Sequence, residues 1–220
     1  MSRELGLRQA YQTIKNAYAS KGRSPVTTAS DLRLIVPVSS SKTSYTFPVL
    51  VGDDANNYAE AILLNRADAF TAINMALYVG KKASATDYAY DWFSYGNITE
   101  FGSTDGDALK TLFNNSTLSA TINNVQYLQN FSTMRFKQIG ITQNGQTNWS
   151  SATYTNQESL NNEQGFIPVV PTLQLSGTSK IELLLNLPSA LSTSGVGSGS
   201  YVIALHLRGF LSLGASNLNK

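Results

Sequence analysis

The chain has 220 residues, 14% of them charged, no cysteine and a formal net charge of +2. That length suits one all-β domain or two small ones, and it buries a sizeable core without covalent staples. The lack of cysteine excludes a disulfide framework, a thiolate zinc site and a thiol nucleophile, and +2 is too small a charge to point to nucleic acid. An average soluble domain carries roughly 25% charged residues; here Ser, Thr, Asn and Gln take their place. Such a neutral polar surface suits a protein that packs against copies of itself, because each buried charge needs a partner. It suits extracellular binding modules equally well.

The first element is a helix. In "RELGLRQAYQTIKNAYAS" the residues Leu7, Tyr11, Ile14 and Tyr18 recur at steps of four, three and four and form one stripe. The first 23 residues also hold Arg3, Arg8, Lys15, Lys21 and Arg23 against Glu4 alone, so this stretch carries +4 and the rest −2. Residues 1–24 read as an amphipathic helical arm. It either caps one end of the domain or, as a basic arm, meets a neighbouring subunit or a polyanion.

From Pro25 the pattern changes to strands. "DLRLIVPV" (31–38) puts Leu32, Leu34 and Val36 on one face, and "TSYTFPVLVG" (43–52) alternates too, with Pro48 marking an edge or a bulge. "YAEAILLNRADAF" (58–70) reads as a strand followed by a turn at Asn65–Asp68. "FTAINMALYVGKK" (70–82) alternates Ile73, Met75, Leu77 and Val79. The stretch 83–125 reads as an insertion between strands, with Tyr88, Tyr90, Trp92, Phe93 and Tyr95 crowded together and a short helix at 105–115 capped by Asp105 or Asp107. "VQYLQNFSTMRFKQIGIT" (125–142) returns to strand, and 143–165 reads as a long polar loop. Three strands close the chain, at 166–175, 179–188 and 201–213, the last two joined by a Gly/Ser connector. About eight strands with turns between them indicate an all-β fold, an antiparallel β-sandwich of the jelly-roll type, with residues 25–220 as one domain. An immunoglobulin-like sandwich is the competing arrangement.

Chemistry is sparse. The single histidine, His206, lies on "YVIALHLRGFLSL", where Tyr201, Ile203, Leu205 and Leu207 form the core face. Val202, Ala204, His206 and Arg208 then point outward. No G-x-S-x-G elbow, Walker loop or G-x-G-x-x-G is present, and Arg208 beside the ring disfavours an imidazolium intermediate. No catalytic residue, metal ligand or cofactor is therefore expected. "GDDANN" (52–57) and "STDGDA" (103–108) are rich in oxygen donors, but both lack the twelfth-position glutamate of a calcium loop and read as ordinary turns. The aromatic group at 88–95 offers either a subunit contact or a platform for sugar rings, with calcium at Asp53 or Asp105 as a possible companion to the latter. The chain shows no apolar run of ~18 residues and no apolar leader, so neither a membrane span nor a secretory signal is expected.

Taken in order, "SYTFPVLVGDD", "ILLNRADAFTAINMALYVGKK", "IPVVPTLQLSGTSKIELLLNLPSAL" and "YVIALHLRGFLSLG" resemble a jelly-roll capsid protein of bacteriophages. The resemblance spans residues 31–213 in style and element order, and leaves out the N-terminal arm and the aromatic insertion. It implies a virion structural protein that self-assembles, located in the virion after assembly in the host cytoplasm. Its implied partners are copies of itself and other virion proteins, with a weak contact to packaged nucleic acid through the basic arm. The candidate subunit contacts are then Leu7, Tyr11, Ile14, Tyr18, Tyr88, Tyr90, Trp92, Phe93 and Tyr95. The alternative function is a carbohydrate-binding module or adhesin that uses the aromatics at 88–95.

Overall fold

A computed structural model describes residues 3–22, 24–53, 58–82, 89–96, 98–137, 165–193 and 201–216. Helix α1 (Arg3–Ala19) precedes β1 (Thr27–Pro37), β2 (Ser44–Phe47), β3 (Ala69–Lys81) and β4 (Asp91–Phe93). Helix α2 (Ile98–Asn114) leads into β5 (Thr117–Ile122), β6 (Val125–Ser132) and a 3-10 turn at Thr133–Phe136. The chain ends with β7 (Ile167–Ser176), β8 (Ile181–Asn186) and β9 (Tyr201–Ser212). Nine strands are found among the described residues, in two antiparallel sheets.

In the first sheet β9 lies between β1 and β3, while β7 and β4 share the far edge of β3. In the second the order is β2, β8, β5, β6. The period-two pattern explains why the sheets stack. Leu32, Leu34 and Val36 of β1 stand opposite Leu207, Leu205 and Ile203 of β9, and all six are buried. From the second sheet, Tyr45 and Phe47, Leu118 and Ala120, and Leu183 and Leu185 face the same core. Each such leucine contributes roughly 1.5–3 kcal/mol by leaving water.

Several sequence expectations differ from the structure. On β3 the inward residues are Met75, Leu77 and Val79 but also Phe70 and Ala72, and Ile73 is only half-buried. A bulge between Ala72 and Asn74 inserts one residue and switches which parity faces the core. Gly209 lies opposite Ala72, where any Cβ would collide with the Thr71 carbonyl oxygen. The stretch 58–70 is not a strand: only Ile62 and Leu64 make isolated bridges, to Arg33 and Leu50, before the expected turn. In that turn Asp68 N–H donates to the Asn65 carbonyl, and Ala67 N–H donates to the Asn65 side chain.

The stretch 83–125 is more than an insertion, because β5 is an interior strand of the second sheet, paired with both β6 and β8. Its "TLSATI" alternates inward at Leu118, Ala120 and Ile122. Helix α2 also starts well before 105, with a break at Gly102 (φ 75°), and inserts Phe101, Leu109, Leu112 and Phe113 into the core. Asp105 is therefore no cap. It is 2% exposed and accepts a hydrogen bond from the Tyr201 hydroxyl at 3.0 Å. Burial first, and then the Asp105 carboxylate, push the Tyr201 phenol up to about 12.

Residues 123–124 close the β5–β6 hairpin with Asn123 at φ 50° and Asn124 at φ 66°, the positive pair of a tight two-residue turn. Asn123 also anchors the tip. Its amide donates to Ser179 Oγ at 3.1 Å, and its carbonyl oxygen accepts from Lys180 N–H at 3.0 Å. The expected strand 125–142 ends earlier, at Ser132, and the polar stretch 143–164 lies outside the described residues.

Candidate functional site

The outer face of the first sheet carries the densest polar and aromatic grouping. It is covered at both ends. Helix α1 lies over one end, with Ile14 5% exposed, Tyr11 5.4 Å from Phe210 between ring centroids, and Tyr18 packed on Ala69 and Ala215. At the other end Tyr58, Ala61, Tyr90 and Trp92 pack over Ile35, Val202 and Ala204. The Trp92 ring lies across Gly80, where a Cβ would stand 2.7 Å from it.

Val202 and Ala204, expected to point outward, are thus fully buried in a second small core. Alternation distinguishes the two faces of a strand, but it does not reveal whether both are covered.

Between these covers sits His206. Register places it beside Arg33 on β1 and Ala76 on β3, with Arg208 next to Asp31 and Asn74 in the neighbouring rank. Arg33 Nε donates to His206 Nε2 at 2.8 Å, so the ring is neutral, with its proton on Nδ1. Phe166 stacks on the imidazole at 5.8 Å between centroids and 25° between planes. Tyr78 meets it edge-on at 5.9 Å. The Arg208 guanidinium lies 4.1 Å over Phe166 and bonds Asp31 at 3.3 Å. Arg33 lies 5.9 Å over Trp92. A continuous row of cations and rings therefore runs from Trp92 through Arg33, His206 and Phe166 to Arg208.

Burial lowers the His206 pKa first, and the Arg33 and Arg208 charges lower it further, to about 4. Burial likewise raises the Tyr78 phenol to about 12, opposed by Arg208. At neutral pH the row contains two guanidiniums, one carboxylate and an uncharged imidazole. The Nε2 lone pair already accepts from Arg33, and among the described residues no carboxylate orients the ring. This geometry does not make a general base.

The other expected contacts are distributed as follows. Ile14, Tyr90 and Phe93 are buried within the chain, and Phe93 belongs to the main core. Their side chains are covered by this chain's own residues. Tyr11, Tyr18, Trp92 and Tyr95 are half-buried. Lys82 lies 4.6 Å over Tyr90. Tyr88, Arg23 and the side chains of Arg3 and Leu7 lie outside the described residues. Arg8, Lys15 and Lys21 are exposed, and Lys21, past the end of α1, borders the hollow between the helix and Thr71 and Gln174 of the sheet.

Among the described residues no group of three His, Asp or Glu side chains is placed to hold a metal. Asp53 pairs with Arg66 at 2.9 Å, and residues 54–57 of the candidate loop lie outside the described residues. No described helix is long and apolar enough to cross a membrane. The role of Arg33 could not be inferred from its own neighbourhood in the chain, since its side-chain partners, Trp92 and His206, come from β4 and β9. No protein-family model, curated protein or solved structure matches the chain.

Proposed function

We propose that this chain is a virion structural protein, a capsid subunit of jelly-roll type that assembles with its own copies into a phage shell or its vertices and performs no catalysis. The observation that carries the reading is the nesting of the strand pairs. Leaving aside the three-residue β4, the first strand pairs with the last (β1 with β9) and the second with the penultimate (β2 with β8). Next come β3 with β7, and innermost the β5–β6 hairpin. One long antiparallel ribbon, folded over so that successive pairs fall in alternate sheets, would give this order, which supports the jelly-roll reading.

The sheet edges support self-association at one place in particular. Edge β1 is paired through Arg33 to Ile62, with N–H to carbonyl distances of 2.9 Å in both directions. Edge β7 carries Pro168 and Pro171, and β2 has four residues and stops before Pro48. Such features block strand addition. Edge β6, "VQYLQNFS", has neither charge nor proline, and it exposes Val125 (56%) and Tyr127 (40%). Among the described residues, bulges in its pairing with β5 are what guard it. In this reading β6 and the surface beside it are where another copy docks, while the exposed cations of α1 face a neighbour or the particle interior.

A carbohydrate platform at 88–95 has less support, because Tyr90 and Phe93 are buried and Trp92 lies flat on Gly80 and Val202. Light scattering tests the proposal. Discrete oligomers should form as concentration rises at physiological salt, and Tyr127→Lys should shift them toward monomer. A wild-type chain that stays monomeric at high concentration contradicts it.

A further inference from the structure

We propose that Arg33 and His206, on the outer face of the first sheet, form a binding site for a single carboxylate group. The inference goes beyond the shell reading and does not depend on it. Arg33 is half-buried, yet among the described residues no carboxylate lies within ion-pair distance of it. Among the described residues its side chain makes one hydrogen bond, from Nε to His206 Nε2, at 2.8 Å. That bond fixes the plane of the guanidinium while both terminal nitrogens keep their protons for another acceptor. Because Nε2 accepts, His206 carries its proton on Nδ1 and serves to hold the guanidinium in place.

A half-buried guanidinium without a counter-ion is unusual, since a charge removed from water calls for an opposite one. The neighbouring cation does not leave a second vacancy, because Arg208 is bound to Asp31 at 3.3 Å. Among the described residues, Arg33 and Arg208 therefore have one ion-paired carboxylate between them, Asp31. A monocarboxylate supplies the second, whereas a phosphate dianion would overshoot beside Asp31. The planar fork of a guanidinium matches the two oxygens of a carboxylate. The Trp92 ring beside Arg33 and the Phe166 ring on His206 offer no competing acceptor. The carboxylate belongs either to a free small molecule or to an Asp or Glu of another copy.

Trp92 reports on the site directly, since its ring lies 5.9 Å from the Arg33 guanidinium. Replacing the other tryptophan (Trp149→Phe) leaves it as the sole indole. Titration with sodium acetate at pH 7, at ionic strength held constant with sodium chloride, should give a saturable change in Trp92 fluorescence. The dissociation constant should be on the order of millimolar for so small a probe. Sodium chloride alone should give none. Arg33→Lys, which keeps the charge and loses the fork, should weaken acetate about tenfold, and Arg33→Gln should abolish the response with the circular dichroism spectrum unchanged. Identical acetate and chloride curves in the Trp149→Phe protein overturn the proposal without any change to the site. So does a full response in folded Arg33→Gln. Sedimentation of the same samples separates the two sources. If another copy supplies the carboxylate, acetate and Arg33→Gln both shrink the assembled species; if a free molecule does, fluorescence responds and sedimentation stays constant.

Discussion

Acidification below neutrality is expected to load His206 with a proton that the folded chain resists. The ring faces Arg33 from β1, Arg208 two residues along its own strand, and Tyr78 from β3, with Phe166 stacked on it and Asp31 paired to Arg208. Tyr78, pushed up to about 12, stays neutral throughout this range. Burial and the two guanidiniums hold the folded pKa at about 4 against 6.5 in the unfolded chain. The folded state therefore binds fewer protons than the unfolded state between these values. The contribution is fully present above pH 6.5, declines as pH falls toward 4, and is flat below. At ~1.4 kcal/mol per pKa unit the loss is about 3 kcal/mol at most.

Carboxylates titrate near the lower end as well, so the informative quantity is a difference. Urea unfolding of wild type and His206→Gln from pH 8 to 3.5 should give profiles whose difference changes with pH. Glutamine still offers Arg33 an acceptor but cannot protonate, so the wild type should lose up to ~3 kcal/mol relative to it between pH 6.5 and 4. Parallel profiles would refute the placement of His206 between two cations.

Other substitutions test the packing. Gly209→Ala forces a Cβ onto the Thr71 carbonyl oxygen at the β3 bulge and should cost about 2–3 kcal/mol in thermal or urea unfolding. Thr133 is 0% exposed, and its hydroxyl shares one proton between the Leu112 carbonyl at 2.7 Å and the Ser116 carbonyl at 2.9 Å; Thr133→Val should cost about 1–3 kcal/mol by leaving those acceptors short of a donor. Asn123→Ala removes both tip anchors and meets strain at φ 50°, so a loss of about 1–2 kcal/mol and faster amide exchange at the β5–β6 turn are expected.

Where one face of a strand is wet and the other dry, the residues announce it. Leu32, Leu34 and Val36 on β1, and Ile203, Leu205 and Leu207 on β9, face the core as their alternation requires. The stripe of α1 likewise places Ile14 against the protein. Alternation is uninformative where tertiary contacts decide. The change of parity on β3 depends on Gly209 admitting the backbone of the neighbouring strand, which no window around Ile73 contains. The burial of Val202 and Ala204 depends on Tyr58, Tyr90 and Trp92, more than a hundred residues earlier. β5 was legible in principle, since "TLSATI" alternates, but its small Ser and Ala residues weaken the contrast. The surroundings of His206 were the least legible. Its neutral state depends on Arg33, 173 positions away, and on Phe166 ahead of β7.

The account stands or falls on copies of this sandwich assembling with one another. Electron microscopy of the purified full-length chain, concentrated at physiological salt, tests this most directly. Closed particles or rings of uniform size are the result it predicts. A field of single subunits at every concentration would contradict it.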